Sequence, residues 1–306
     1  MNRATFNKAV VPGLFAFIIG GYRKKAAESD WRAICSVKPS KHAFEEAAYG
    51  AGLGVFAHKP EGTPITYDDM VQGPTKRWIH KTFGLGIKIS EELIEDALYP
   101  DIPTDMKSLT GELGASADET FALLVWDMIN NGTATTNHTG ADGLALFSGS
   151  HTKIVGGTWS NLLSPSADLS ATALQTAIDN FETTTSEEGR QQIIKATKLV
   201  VHPNNAWKAK ELLNSAYDPE SPNNAVNTIK DRNLKLVVSP YLTDTDAFTL
   251  MAEPPNEVCG IILYNRRKVT YAQDGDFETG DAKFKGTFRM SIECAIPNNL
   301  YHSAGI

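Results

Sequence analysis

The stretch TDMKSLTGELGASADETFALLVWDMINN, residues 104–131, predicts one long helix. Its apolar side chains recur at three- and four-residue steps, the spacing of a single helical stripe. They are Met106, Leu109, Leu113, Ala117, Phe121, Leu124 and Met128. Gly111 and Gly114 weaken the first half of this helix, and Gly132 ends it. At 1.5 Å per residue the helix is roughly 40 Å long, which is typical of an element that lies across a sheet or along a subunit.

The segment before this helix has the alternation of β-strands. Leu53–Ala57 forms one strand, Lys59–Gly62 supplies a turn, and Ile65–Tyr67 returns as a second strand. A further strand covers Phe83–Ile89, after which Ser90 caps a short helix. Because an isolated two-stranded hairpin is marginal in water, we expect the hairpin to lie on another surface of this chain or of a partner.

The first 30 residues form an apolar arm with a basic end. Its apolar residues are Phe6, Val10, Val11, Leu14, Phe15, Phe17, Ile18 and Ile19, and Arg23, Lys24 and Lys25 follow them. Pro12 and Gly13 interrupt the apolar run, which is shorter than the ~20 residues of a membrane span, so we predict neither a secretion signal nor a membrane helix. Such an arm needs a cover, either from its own domain or from a neighbouring subunit.

The C-terminal half mixes helices and strands without regular alternation. Ser170 caps a helix, a strand covers Lys198–His202, and a second helix follows Pro203. Strands are predicted at 234–238, 248–252, 260–264, 268–271 and 287–296. In the last of these, Phe288, Met290, Ile292, Cys294 and Ile296 face one way. The fold class is therefore α+β.

Composition excludes several classes of protein. With 306 residues, 42% hydrophobic and 21% charged, the chain is long and apolar enough for a large core, which rules out disorder as a whole. A formal net charge of -7 argues against broad nucleic-acid binding, although a local basic patch stays compatible with it. Three scattered cysteines, Cys35, Cys259 and Cys294, predict reduced thiols rather than a disulfide framework.

Motifs for catalysis, metals and cofactors are weak or missing. The glycine-rich run Gly50–Gly54 lacks the spacing of a nucleotide-binding loop. Asp274, Asp276, Glu278 and Asp281 resemble a calcium loop, but Thr279 and Lys285 occupy the positions that need glycine and glutamate, so we expect a solvated acidic turn. Ser148 and Ser150 beside His151 bring hydroxyls next to an imidazole in sequence, which is not triad geometry. We predict no catalytic residues, no metal and no cofactor.

The order of these elements resembles the major capsid proteins of tailed bacteriophages, most closely the major head subunit of Mu-like phages and prophages. The stretches that carry the resemblance are FGLGIKISEELIEDAL at 83–98, DGLALFSGSHT at 142–152, KLVVHP at 198–203, and LVVSP at 236–240 followed by 247–252. None of them is a catalytic motif, and their order and spacing over nearly the whole chain give the resemblance its specificity.

The resemblance implies a tailed-phage major capsid fold with a defined domain order. Residues 1–48 would form the N-terminal arm and 49–88 the extended β-hairpin loop. Residues 89–197 would form a peripheral domain with the long helix as its spine, and 198–286 an axial domain. Residues 287–306 would return a strand to the peripheral domain.

The implied function is structural and not enzymatic. Copies would self-assemble into pentamers and hexamers of an icosahedral or prolate shell that encloses phage DNA, located in the virion and, during assembly, in the host cytoplasm. Expected partners are other copies of the chain, a separate scaffolding protein (because the arm starts near Met1), a portal, and double-stranded DNA held weakly and non-specifically on the inner face; no membrane is involved. Eight residues are the predicted contacts between subunits: Phe15, Phe17, Phe56, His58, Lys59, Glu61, Thr63 and Trp78.

Three alternatives remain open at this point. An encapsulin-like shell would share the fold and enclose an enzyme instead of DNA. A hydrolase would use Ser148, Ser150 and His151. A monomeric binding module would sediment as a single chain, whereas a shell contains hundreds of copies.

Overall fold

The computed structural model describes residues 3–90, 104–136, 138–185, 191–220, 225–254, 257–275 and 279–306. Its α-helices are α1 (Arg3–Glu28), α2 (Thr104–Asn130), α3 (Ala171–Glu182) and α4 (Ala206–Asn214). Its strands are β1 (Ser36–Pro39), β2 (Phe44–Ala51), β3 (Val71–Ile79), β4 (Lys81–Ile89), β5 (His151–Thr152), β6 (Thr158–Trp159), β7 (Ala196–Val201), β8 (Lys235–Val238), β9 (Phe248–Ala252), β10 (Ile261–Gly275), β11 (Ala282–Cys294) and β12 (Leu300–Ser303).

The first sheet has the strand order β1-β10-β11-β4. Strands β10 and β11 form a long antiparallel pair, with β1 parallel to β10 and β4 antiparallel to β11. The predicted alternation of the last strand is confirmed, because Phe288, Met290 and Cys294 are buried in the core that α2 shares with this sheet. The separate strands predicted at 260–264 and 268–271 are one strand, β10, whose pairing is irregular between Asn265 and Thr270.

The second sheet has the order β12-β9-β7-β8 and is covered on both faces. Leu199, Val201 and Leu250 point into a core formed with α3 and α4. Val200 and Met251, on the opposite face, join the core of α2 and the first sheet. The sheet therefore lies between the two cores, which explains why all five residues of β9 are buried.

Helix α2 matches the predicted long helix, and α1 packs directly against it. A Cβ atom on Gly114 would lie 1.9 Å from the carbonyl oxygen of Ile18, and one on Gly21 would lie 2.0 Å from that of Gly111. Glycine thus lets the two backbones approach closely, a role that the sequence analysis treated only as a weakness of the helix. Arg32, just beyond α1, donates a 2.8 Å hydrogen bond to the buried carboxylate of Asp118 on α2 and fixes the end of this crossing.

The hairpin exists, but its strands lie outside the predicted ones. Strands β2 and β3 pair antiparallel over 44–51 and 71–79, and the structure has no strand between Gly52 and Met70. The predictions of strands at Leu53–Ala57 and Ile65–Tyr67 were therefore wrong. The alternating apolar residues there face solvent, so no core selects one face of a strand.

The two sheets divide the chain differently from the predicted domain boundaries. Helix α3 was expected in the peripheral domain with α2, but it packs on the second sheet. The return strand expected at 287–296 is β11, which lies in the first sheet as expected, whereas the last strand, β12, was not predicted and pairs with β9. Strand β10 was placed in the axial domain, yet it belongs to the first sheet. The short helix predicted after Ser90 lies outside the described residues.

Candidate intersubunit surface

A two-stranded ribbon, β2 and β3, projects from the body of the protein and is anchored at its root by Trp78. The Trp78 side chain is fully buried, its ring meets the edge of Tyr264 at a centroid distance of 5.4 Å, and its Nε1 donates to the carbonyl of Glu293 at 3.3 Å. Nearby, Lys76 lies 3.3 Å from the carboxylate of Glu293 and donates to the carbonyl of Thr139. These contacts attach the ribbon to the first sheet.

Beyond the ribbon, residues 52–70 form a loop that we call the extended segment. Its two arms are held together where the amide of Gly54 donates to the Asp68 carboxylate at 2.7 Å. At the tip, both the amide and the hydroxyl of Thr63 donate to the carbonyl of Pro60. The segment is therefore a closed loop with its own turn. All of its residues except Gly52 are exposed.

The extended segment carries apolar side chains that this chain leaves uncovered. They are Leu53, Val55, Phe56, Ile65, Tyr67 and Met70, of which Phe56 is as exposed as in an open peptide, at 107%. Large apolar side chains exposed together on one segment are typical of an interaction site in a folded protein.

The predicted contact residues fall into three groups. Phe56, His58, Lys59, Glu61 and Thr63 are all exposed on the extended segment, as a contact surface requires. Whether they touch another subunit stays a prediction.

The remaining three predicted contacts behave differently. Phe17 lies on α1 and is 41% exposed. Phe15 lies in α1, but its side chain is outside those that the structure describes. Trp78 needs a correction, because it is buried inside its own chain, where it anchors the ribbon and offers no surface to a partner.

The geometry around His151 does not support the hydrolase alternative. The buried imidazole places Nδ1 2.6 Å from the Asp142 carboxylate and Nε2 3.1 Å from the amide oxygen of Asn161. Both ring nitrogens thus have partners that are not serine hydroxyls, and the Ser148 hydroxyl accepts from the Ser150 amide instead. Burial alone would raise the pKa of Asp142, but the hydrogen bond and charge of His151 outweigh it and hold that pKa below its usual range. This cluster holds the loop after α2 together.

The acidic turn near residue 274 is only partly within the described chain. Asp281 forms an ion pair with Lys88 at 2.6 Å and accepts from the Thr279 hydroxyl, while Asp276 and Glu278 lie outside the described residues. Within the described ranges, no group of three or more His, Cys, Asp or Glu side chains has the geometry to hold a metal ion. The same part of the chain contains no helix with the length and hydropathy to span a membrane.

A basic surface on the exposed side of the first sheet was not predicted from the sequence. Lys283 and Lys285 alternate with the buried Phe284, in register with Lys88 and Gly86 of β4. The strand had been predicted to begin at Thr287, so these lysines were never placed on a strand face. Their spacing around Phe284 was the available signal.

Comparison with known proteins places this geometry in a family. The family model described as "Phage capsid protein" matches residues 75–294, which is most of the chain. No curated protein sequence matches the chain.

Solved structures share the fold at low sequence identity. The capsid of Cyanophage P-SCSP1u has a TM-score of 0.59 at 11% identity, covering 89% of this chain and 86% of that one. The structure titled Microbacterium phage Oxtober96 has a TM-score of 0.53 at 11% identity, covering 90% of each chain. The holo-SrpI encapsulin complex from Synechococcus elongatus PCC 7942 has a TM-score of 0.51 at 8% identity, covering 88% of this chain and 84% of that one.

The expected α+β tailed-phage major capsid fold is confirmed by these similarities. The likeness to solved structures concerns the fold, and the family match assigns the role. The chain belongs to the phage capsid protein family and is a structural subunit of the capsid shell.

Proposed function

We propose that this protein is a major head subunit whose copies form pentamers and hexamers of an icosahedral or prolate shell around phage DNA. The observation that carries the proposal is the extended segment, which exposes its apolar side chains from Leu53 to Met70 on a ribbon anchored at its root by Trp78. Such a projection gains stability only when another surface covers it, and in a shell that surface is a neighbouring subunit.

A shell can be stable even when each contact between two subunits is weak. Burying apolar area contributes roughly 25 cal/mol per Å², so one segment on one neighbour makes a weak contact. Closed symmetry repeats the contact at every subunit, and many linked contacts together stabilise a particle. The exposed Phe17 on α1 and the predicted contacts at Phe56, His58, Lys59, Glu61 and Thr63 would take part in these interfaces.

The domain roles follow from the two sheets. We assign the first sheet with α2 to the peripheral domain, and the second sheet with α3 and α4 to the axial domain that would surround the symmetry axes. The β2–β3 ribbon with the extended segment is the extended loop. The core that the second sheet forms with α3 and α4, on the face turned away from α2, supports this division.

Finer features of the proposal rest on the sequence resemblance. We place the subunit with the Mu-like phages and prophages, on the stretches at 83–98 and 142–152. Assembly would take place in the host cytoplasm with a separate scaffolding protein and a portal. The net charge of -7 agrees with only weak, local contact with packaged DNA.

The proposal also holds that the subunit has no enzymatic activity. His151 is held between Asp142 and Asn161 with no serine hydroxyl on its ring, which supports a structural role for that cluster. Replacement of His151 by Gln should therefore lower the stability of the loop after α2. It should remove no hydrolase activity, because the unaltered chain is expected to have none.

An encapsulin-like compartment is the second candidate, because the fold is shared with the Synechococcus elongatus encapsulin. The contents of the particle separate the two functions. Purified particles that contain DNA, or that package it with a portal present, support the head subunit, whereas a co-purified cargo enzyme supports the compartment.

Electron microscopy and sedimentation test the proposal directly. The full chain, expressed alone and together with a scaffolding protein, is expected to give closed particles that sediment far faster than a 33.3 kDa chain. A chain that stays monomeric in both cases at all concentrations would refute it.

A further inference from the structure

One histidine, His80, lies where the ribbon joins the body of the protein. The chain enters the ribbon between β1, which ends at Pro39, and β2, which begins at Phe44. It leaves the ribbon between β3 and β4, which are separated by His80 alone. The imidazole is 6% exposed and contacts Ser40, on the first connection, and Ser291, on β11. Both chain connections of the ribbon therefore meet the first sheet at one buried ring.

The hydrogen bonds around His80 fix the position of its ring proton. The Ser40 hydroxyl donates its single proton to the Glu45 carboxylate at 2.6 Å. The same hydroxyl must therefore accept from His80, so Nε2, 3.0 Å away, carries the ring proton. The other ring nitrogen, Nδ1, is then an acceptor, and the Ser291 hydroxyl donates to it at 2.9 Å. We call His80, Ser40, Glu45 and Ser291 the root cluster, and all its hydrogen bonds are made when the imidazole is neutral.

Protonation of His80 would break one of these hydrogen bonds. An imidazolium donates from both nitrogens, so Nδ1 would no longer accept from Ser291. Ser291 is buried, and its hydroxyl has no second hydrogen-bond partner in the part of the chain that the structure describes. A buried donor without an acceptor is unfavourable relative to one that reaches water, so protonation favours opening of the cluster.

The charges that face His80 also favour the neutral ring. They are Glu45 on β2, Arg266 on β10 and Arg289 on β11. The arginine ion pairs among the described residues involve neither Arg266 nor Arg289, and the buried Nε of Arg289 has no acceptor there. Burial and Arg289 lower the pKa of His80 below its ordinary value of 6.5, and Arg266 adds to them, while Glu45 opposes them.

We propose that neutral His80 positions the ribbon by holding its root on the first sheet, and that protonation of this ring loosens the root. In the open root cluster the imidazole reaches water, where its pKa returns to about 6.5. The closed cluster has the lower pKa, so it is fully stable above pH 6.5 and loses stability as the pH falls from 6.5 to that lowered value.

Two features define the reach of this proposal. Trp78, two residues before His80, anchors the ribbon independently of pH, so protonation loosens the root without detaching the ribbon. The behaviour of the root cluster goes beyond the proposed function and does not depend on it. Only the consequence for a shell, that acid loosens the loop projecting from each subunit, rests on the proposed function.

Hydrogen exchange of the full chain, measured below the concentration at which it assembles, tests the proposal. The reporter is the Ser40 amide, which donates to the Asn265 carbonyl at 3.1 Å. Its protection factor, which corrects for the pH dependence of chemical exchange, should fall at least about threefold between pH 7.5 and pH 5. Each unit that separates the pKa values of the open and closed clusters contributes up to about tenfold to this fall.

Three variants separate titration of His80 from a purely structural role. His80→Gln keeps a donor for Ser40 but does not titrate, so the fall in protection should disappear. Ser291→Ala keeps the imidazole and removes only the donor to Nδ1, which raises the pKa of the closed cluster and should make the fall smaller. His302→Gln is the matched control, because it removes another buried imidazole, on β12, and should leave the fall at Ser40 unchanged.

Several results would overturn the proposal. Equal protection of the Ser40 amide at the two pH values in the unaltered chain is one, and an undiminished fall in His80→Gln or Ser291→Ala is another. A fall that His302→Gln abolishes would assign the response to the second sheet instead. None of these measurements needs a particle, so a chain that never assembles would refute the proposed function while hydrogen exchange still decides the role of His80.

Discussion

His302 is a buried imidazole between the two cores, and its environment favours the neutral form. Its Nδ1 lies 2.9 Å from the Thr249 hydroxyl, and its ring stacks on Phe147 at 4.4 Å. Burial lowers its pKa to about 4, against an unfolded value of about 6.5. Above pH 6.5 the ring is neutral in both states, whereas between pH 6.5 and 4 only the unfolded chain takes up the proton.

We therefore expect the free energy of unfolding to fall as the pH is lowered from 6.5 to 4, by up to about 3 kcal/mol from this group. Urea unfolding of the dissociated chain at half-unit steps of pH measures the slope. His302→Gln removes the titration and should flatten the slope, although the lowered pKa of His80, which has the same sign, leaves a remainder. An equal slope in both proteins would contradict the buried neutral imidazole.

Phe121 lies at the centre of the stripe on α2. Its ring stacks on Trp31 at 5.6 Å and on Phe288 at 4.6 Å, and only 4% of it is exposed. Phe121→Asp removes roughly 3–5 kcal/mol of packing and adds a buried, unpaired carboxylate, which exceeds what a domain stable by about 5–15 kcal/mol tolerates. We expect the variant to be insoluble or unfolded by circular dichroism.

Leu123, two residues along the same helix, provides the control for that change. It is 55% exposed, so the Leu123→Asp variant should fold. Its free energy of unfolding should lie within about 1 kcal/mol of that of the unaltered chain. A soluble and native Phe121→Asp protein would show that the stripe is not buried.

At the scale of elements, the crossing of α1 and α2 depends on one glycine more than on its neighbour. A Cβ on Gly114 would meet the Ile18 carbonyl at 1.9 Å, whereas one on Gly111 meets nothing nearer than 4.0 Å. Gly114→Ala should therefore push α1 away from α2, lower stability by about 1–3 kcal/mol, and speed protease cleavage within 16–28 at least several-fold.

Gly111→Ala is the matched control, because it adds the same methyl group to the same helix. It should leave cleavage unchanged and stabilise the helix by up to ~1 kcal/mol. Equal protection of α1 in the two variants would rule out the close crossing.

Elements with a strong local signal could be predicted from the sequence nearly to the residue. Helix α2 had its apolar period and Gly132, and α3 had the Ser170 cap, which accepts from the Ala173 amide. Strand β9 had an apolar run interrupted only by Thr249. The short strands β1 and β12 were missed because their pairing partners, β10 and β9, lie far away in sequence.

The candidate surface was predicted only in part, for a related physical reason. The loop tip has the glycine, proline and charge of an exposed turn, so its position was readable. Its strand boundaries were not, since Leu53 and Val55 alternate without a core to face. The role of Trp78 was predicted wrongly, because a large aromatic residue in a projecting hairpin can either anchor the hairpin to its own chain or contact another subunit. The two roles are distinguished only by the packing of Trp78 on Tyr264, which is distant in the sequence.

At the scale of the whole molecule, assembly should depend on the extended segment and folding should not. Deleting Gly52–Pro64 leaves β2, β3 and both cores intact, so the chain should stay folded. The amount of closed particles should fall at least tenfold, as measured by sedimentation velocity and by counting particles in micrographs. A Gly-Ser replacement of equal length keeps the reach of the loop but loses its side chains, and it should fail similarly. Normal particles from either variant would count against the loop as the contact.

The sheet that lies between the two cores has a mechanical consequence. Leu199 and Val200 point from the same strand into opposite cores. A rotation of one core relative to the other would therefore disrupt side-chain packing on both faces of the second sheet. Internal pressure would therefore be transmitted through each subunit as through a rigid body. Deformation of the container wall would be concentrated in the β2–β3 ribbons.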